Sequence, residues 1–437
     1  MTITEEMGLD MVSKPTFERG KVKGMRVHVM PTKRFKTFAI SVYVGIPLQE
    51  DTVTSTALTP FVLRRGTASY PETIRFRERL DELYGAGFGF DVFKRADYQI
   101  IQFRMDVIND AFVNSSESLL AQAFQFLGEA ITAPVMDNGT LRNKYVEEEK
   151  QTVRQRIESI VNDKIRYAAE RCVEEMCKNE PYRLHALGNR DDLDGIDAAT
   201  LTDKYRWLLE HAAIDVYVVG DTSYEEVERC VEASFRIDRN VETPYARSIP
   251  VPRIGEPNTV IERLEVSQGK MNMGLRSTIT YADDAYPAVL MYNGILGGYP
   301  HSKLFINVRE KNSLAYYAAS RFEGHKGICT IQSGIEFENF DRARQIIIEQ
   351  LDAMKAGQLQ SLEISQTKAM IANQLREIDD SSFEMIGFDF NRVLSGRERT
   401  TSQLIDEVEH IEAAHIQEVA QTFHLDTIYF LRNKEEA

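Results

Sequence analysis

Four prolines, Pro244, Pro250, Pro252 and Pro257, fall within residues 241–257, a stretch otherwise poor in periodic apolar residues. Proline has no N–H to donate and a fixed φ, so prolines this dense cannot continue a helix or a central strand. The stretch reads as a semi-extended linker. It divides the chain into residues 1–240, the linker 241–257, and residues 258–437. The two flanking parts look related. Ile196-Asp197-Ala198-Ala199-Thr200-Leu201 opens a helical stretch through Trp207, followed by a strand at 216–219 that ends on Gly220. Near the C-terminus, Ile411-Glu412-Ala413-Ala414-His415-Ile416 opens a helical stretch through Phe423, followed by a strand at 428–431. Each has an acidic first turn, an apolar face at helical spacing and a short β-rich closing strand. A duplicated domain is the economical reading.

Earlier in each part a similar order of elements recurs. The first shows strands at 26–30 and 38–44, a helix, a Gly-rich corner at 84–89 and a hairpin whose second strand is 98–105. The second shows an opening strand at 271–275, a helix from Ala285 into Gly294, a corner at Gly297-Gly298 and a strand at 328–333. Long helices follow, at 143–160 and 340–354. Strands and helices are mixed rather than strictly alternating, which gives an α+β fold with more helix than strand.

With 52 Lys+Arg against 67 Asp+Glu, the net charge is −15, which disfavours a dedicated nucleic-acid binder. No apolar run approaches the ~18 residues that span a bilayer, and the acidic start MTITEEMGLD is unlike a secretory signal. A cytoplasmic protein is expected. The cysteines, Cys172, Cys177, Cys230 and Cys329, are too sparse for a disulfide framework. Cys172 and Cys177 fall on different sides of a helix, which disfavours a shared metal. None of the eight histidines pairs at H-E-x-x-H or H-x-x-E-H spacing; His410 and His415 are five apart on an expected helix, so their side chains diverge.

Residues 304–316 read LFINVREKNSLAY, after GILGGYPHSK. This ordered run resembles the second-domain signature of the pitrilysin/insulinase-type metallopeptidases. Arg64-Arg65-Gly66-Thr67, the acidic helix at 143–160 and Val219-Gly220-Asp221 fit the same family, so the resemblance spans nearly the whole chain. It implies two homologous α+β domains joined by a linker. It also exposes a departure. Active members carry H-x-x-E-H, whose histidines and a later glutamate hold zinc while the motif glutamate activates water. The matching positions here are Ala57-Leu58-Thr59-Pro60-Phe61. Alanine and phenylalanine cannot ligate a metal, and proline cannot act as a base, so no metal or other cofactor is expected in this chain. Glu147-Glu148-Glu149, where the third ligand would lie, reads as a solvated helix face.

The resemblance implies roles for other residues. Arg309 and Tyr316 match the family's pair that binds the substrate backbone and stabilises the oxyanion, roles suited to a guanidinium and a phenol. Asn312-Ser313 ends the helix between them, with a strand from about Leu314. The ordinary alternatives are a surface pair of Arg309 with Glu310 or Glu323 and a half-buried core Tyr316. Gly294, Gly297 and Gly298 suit either a plain tight turn or a substrate loop; no phosphate-loop pattern is present. The strand at 88–94 matches the family's peptide-binding edge, with Asp91-Val92 in place of Asn-Ala, and equally fits a hairpin strand protected by Asp91, Lys94 and Arg95.

Two functions follow. One is the zinc-lacking subunit of a heterodimeric insulinase-like peptidase, lending Arg309 and Tyr316 to a zinc-bearing partner subunit that hydrolyses peptides. The other is a catalytically inert structural or peptide-binding protein, as a homodimer or scaffold. No G-x-S-x-G elbow or nucleophilic cysteine context supports an independent hydrolase. The negative charge reads either as an acidic inner wall favouring basic peptides or as ordinary solvated surface.

Overall fold

The structure is a computed structural model and describes residues 16–434 apart from 238, 240, 253 and 254. The acidic stretch at 1–10, two positions of the proline-rich segment and residues 435–437 lie outside the described residues.

Apolar runs build two sheets. In the first half, β1 (Glu18–Val22), β2 (Met25–Pro31), β3 (Thr37–Pro47), β4 (Gly87–Arg95), β5 (Tyr98–Ile108) and β8 (Ala213–Gly220) lie in the order β1-β2-β8-β3-β5-β4. A separate small hairpin joins β6 (Met136–Asp137) and β7 (Thr140–Leu141). In the second half, β9 (Asn258–Arg263), β10 (Gly269–Arg276), β11 (Ala315–Glu323), β12 (Ile328–Ile335) and β13 (His424–Arg432) lie in the order β11-β12-β10-β13-β9. The paths coincide: β4-β5-β3-β8-β2 repeats as β11-β12-β10-β13-β9, each with its last pair parallel and the others antiparallel. The halves are thus two α+β units of one design, and β1 is the addition. Every residue of β8 and of β10 is buried, as expected of inner strands covered on both faces.

The first half carries α1 (Val53–Leu63), α2 (Thr73–Glu82), α3 (Leu119–Thr132), α4 (Asn143–Asn162), α5 (Lys164–Met176), α6 (Ala198–His211) and α7 (Tyr224–Ser234). The second carries α8 (Tyr286–Asn293), α9 (Phe340–Lys355), α10 (Ser361–Ile378), α11 (Ser382–Ser395), α12 (Thr401–Glu409) and α13 (Ala413–Gln421). Their ends are written in the sequence. Asp197 and Thr200 close a capping box on α6, and Ser381 caps α11, which stops where Gly396 takes φ 69°.

The two halves exchange cover. Helix α5 of the first half lays Ala168 and Cys172 on Tyr429 and Leu431 of β13. In return, α11 of the second half lays Ile386, Phe390 and Leu394 on Tyr43, Tyr217 and Val219 of the first sheet. Phe390 stacks on Tyr43 at 3.9 Å, and Asp389 accepts from Tyr217 (2.8 Å) and Arg19 (2.7 and 2.9 Å). A second tie is ionic. Lys326 meets Asp97 at 2.6 Å and Glu180 at 3.0 Å, and Arg276 meets Glu180 at 2.6 Å and Asp426 at 2.8 Å.

Two expectations fail. The second half opens on β9 rather than on β10. Its alternating, half-exposed and charged sequence NTVIER carries a weak strand signal, and it forms because β13 offers a parallel edge, Asn258 opposite Thr427. His410 and His415 do not share a helix, since His410 caps the end of α12 and His415 lies in α13 beyond a break at Ile411-Glu412.

Candidate functional site

Helix α1 is buried on all sides, Ala57, Pro60 and Phe61 included. Ala57 and Phe61, four apart, lie on one face. Phe61 packs edge-to-face on Phe90 of β4 at 4.8 Å, with the Arg64 guanidinium 5.6 Å from its ring centre and that of Arg156 4.8 Å away. Across from α1, Glu149 of α4 is 2% exposed, contrary to the expected solvated helix face. Its carboxylate takes Arg65 at 2.7 Å and Arg64 at 3.3 Å, while Arg65 also holds Glu148 at 2.6 Å. The residues here do not fit a zinc ion: two ligand positions are hydrocarbon and the one carboxylate is tied to two cations. Among the described residues no group of three or more His, Cys, Asp or Glu stands together as a metal site.

Among the described residues strand β4 is an edge strand, paired with β5 alone. Asp91 is exposed and its Oδ1 accepts the N–H of Val92 at 2.9 Å, while Phe90 and Val92 pack toward the core. Phe61, Phe90, Asp91 and Val92 border a cavity of about 350 Å³, closed by Arg156 and Arg166 and by His185. Arg166 and His185 both engage Glu170, at 2.7 and 3.3 Å. Further along β4, Lys94 donates to the Tyr182 carbonyl at 2.6 Å and sits 4.2 Å over the Tyr182 ring; burial pushes its ammonium down to about 8. Cations, not acids, dominate this cavity, so the acidic wall considered for basic peptides does not line it.

In the second half, α8 runs into a wide π-turn at Gly294–Gly298, and a second π-turn spans Phe305–Glu310. None of the three glycines takes positive φ, so neither a tight turn nor a strained loop explains them. Close packing explains Gly297: a Cβ there would stand 2.5 Å from the Ser320 backbone nitrogen of β11. Tyr299, His301 and Lys303 fix the segment to α10 through Gln374 (2.8 Å), Thr367 (2.8 Å) and Glu363 (3.0 Å). Gly294 and Gly297 are buried and Gly298 is exposed.

Arg309 ends the second π-turn, 43% exposed, 4.6 Å over the Phe305 ring and 3.5 Å from Glu310. Ser313 then takes φ 51° and turns the chain into β11. Tyr316 is the extra residue of a bulge: Ala315 pairs with Ile335 and Tyr317 with Gly334, leaving Tyr316 without a partner on β12. Bulges re-aim side chains, and Tyr316 is 66% exposed rather than half-buried core. Its hydroxyl donates to Glu336 at 3.1 Å, and that carboxylate raises the phenol, which stays a donor at neutral pH. Among the described residues no hydrogen bond joins Arg309 to Tyr316.

The structure therefore gathers Phe61, Asp91 and Val92 around one cavity, buries Ala57 and Pro60 in α1, and sets Arg309, Tyr316 and the glycines apart in the other half. Arg156 and Phe90 were not singled out from sequence. Arg156 lies seven positions after Glu149 on α4 and hence near the same face, a spacing that was there to be noticed.

A family model described as the peptidase M16 inactive domain matches residues 196–371. A Bacillus subtilis (strain 168) protein named probable inactive metalloprotease YmfF is 38% identical over 419 residues, covering 96% of this chain and 98% of its own. The crystal structure of a conserved protein from Enterococcus faecalis V583 superposes with a TM-score of 0.91 at 31% identity, covering 97% of this chain and 100% of that one. The crystal structure of a peptidase M16 inactive domain from Pseudomonas fluorescens shares the fold, with a TM-score of 0.78 at 16% identity over 96% and 98% of the two chains.

Proposed function

Because the chain belongs to the peptidase M16 family as an inactive, insulinase-like member, we propose that it is the zinc-lacking subunit of a heterodimeric cytoplasmic peptidase. The partner subunit brings the zinc and hydrolyses peptides. This chain supplies Arg309 for the substrate backbone and Tyr316 for the oxyanion, with Asp91-Val92 on β4 and the Gly294–Gly298 turn on the substrate path. One observation carries the reading: the ligand positions have become buried hydrocarbon, whereas a bulge keeps the Tyr316 phenol turned to solvent. A charge developing on a carbonyl oxygen is stabilised by such a preorganised donor more than the ground state is.

The test is co-expression with a family member that carries H-x-x-E-H, followed by peptidase assays of the purified pair. Tyr316→Phe is expected to lower kcat by about 10²–10³, the usual loss for one oxyanion donor, and Arg309→Ala to raise KM. A double variant that leaves the pair's activity intact overturns the assignment.

A second reading, an inert peptide-binding or scaffold protein that pairs with itself, is supported by the resting partners of both side chains, Glu336 for Tyr316 and Glu310 with Phe305 for Arg309. Sedimentation of the isolated chain separates the two. A stable homodimer that excludes the zinc-bearing chain favours the second.

A further inference from the structure

We propose that the cavity beside β4 holds the carboxylate of an extended peptide, gripped by the Arg156 guanidinium over the Phe61 ring. The inference rests on the part of the preceding reading that gives this chain a peptide ligand, and it adds the chemical class.

The cavity, about 350 Å³, is at the small end of ligand sites. Phe61 and Phe90 give it an apolar wall, and Arg156 is fixed above Phe61 by a cation–π contact at 4.8 Å. Arg156 is exposed, and no carboxylate among the described residues lies within ion-pair reach of it. Arg154 on α4 and Arg166 on α5 differ: Arg154 holds Asp194 at 2.6 Å and Arg166 holds Glu170 at 2.7 Å.

The acids that would repel an anion are already engaged. Glu149 accepts from Arg64 and Arg65, and Glu170 from Arg166 with His185 beside it. Asp91 also borders the cavity, where its Oδ1 accepts the Val92 N–H. Arg156 thus faces a cavity whose one bordering carboxylate, Asp91, is outnumbered by the guanidiniums of Arg156 and Arg166, and an incoming carboxylate meets a planar fork that matches it in two hydrogen bonds.

The approach is set by β4. Its outer edge has no strand partner among the described residues, so an extended peptide can add to it through backbone hydrogen bonds, which tolerate varied side chains. A peptide on that edge passes Phe90 and Val92, and a carboxylate at that point of its length falls to Arg156.

The experiment uses the full chain and a fluorescein-labelled eight-residue peptide of Val, Thr and Ala in three forms: free C-terminus, amidated with one central Asp, and amidated without acid. Anisotropy titration is expected to show the acid-free form binding about tenfold more weakly than at least one acidic form, and Arg156→Ala abolishing that difference. The tighter of the two acidic forms identifies the carboxylate as terminal or side-chain. Arg156→Lys should keep part of the preference. Because Arg156 is exposed, circular dichroism of the variants should match wild type. Equal binding of all three forms, or an acid preference that survives Arg156→Ala, overturns the carboxylate assignment while leaving peptide binding in place. Failure of every form to bind overturns both.

Discussion

Replacing Lys326 by methionine tests how far the two halves depend on each other. The Lys326 side chain is 2% exposed and crosses from the β11–β12 turn to Asp97 (2.6 Å) and Glu180 (3.0 Å) of the first half. Removing one member of a buried ion pair costs roughly 3–5 kcal/mol when the other is left alone. Neither acid is left alone here. Asp97, 29% exposed, keeps the Ser248 hydroxyl at 2.6 Å, and Glu180 keeps Arg276 at 2.6 Å. The expected loss is therefore about 2–3 kcal/mol, that of charge-assisted hydrogen bonds without an orphaned charge. With a urea slope of about 3 kcal/mol per molar, the midpoint falls by roughly 0.7–1 M. Two probes read the transition. Trp207 of α6, the sole tryptophan, reports the first half, and far-ultraviolet circular dichroism reports both. Both midpoints should fall together, and adding Asp97→Asn should cost much less in the variant than in wild type. Salt near 0.5 M should leave the difference standing, because buried pairs are weakly screened. Midpoints unchanged by both probes would refute the idea that this pair couples the halves; a fall in the fluorescence signal alone would refute their unfolding as one.

Gly297→Ala should destabilise by about 1–3 kcal/mol in urea titration, since its methyl would press on the β11 backbone at Ser320. Asp215, fully buried, is opposed by desolvation, yet hydrogen bonds from Arg26 (2.6 and 2.7 Å) and His28 (3.0 Å), with their charges, hold its carboxyl below the ordinary carboxylate range. Its contribution is present above the unfolded value of about 3.9 and is lost as pH falls below it toward the native one. Stability measured from pH 5 downward should drop steeply, and less steeply in Asp215→Asn. Lys94 acts in the opposite direction: with a native value of about 8 against about 10.4 unfolded, the unfolded chain binds more protons in that window. Stability should rise with pH across it, and Lys94→Met should abolish the rise.

The closing helix–strand units were legible because each is local, a capped apolar period followed by a short β-rich run. What escaped notice depends on distant partners. The β9 strand is defined by β13, well over a hundred positions away. Glu149 looked solvated beside Glu147 and Glu148 until Arg64 and Arg65 arrived from the end of α1. The exposure of Tyr316 comes from a register slip against β12 that no residue type in LFINVREKNSLAY announces.

The traded helices α5 and α11 make the chain resemble a swapped dimer whose two protomers have been tied into one polypeptide. Each half finishes its neighbour rather than itself, so a fragment ending in the proline-rich segment would leave Tyr43 and Tyr217 bare, and the complementary fragment would leave Tyr429 and Leu431 bare. Such fragments should aggregate singly yet reconstitute when mixed.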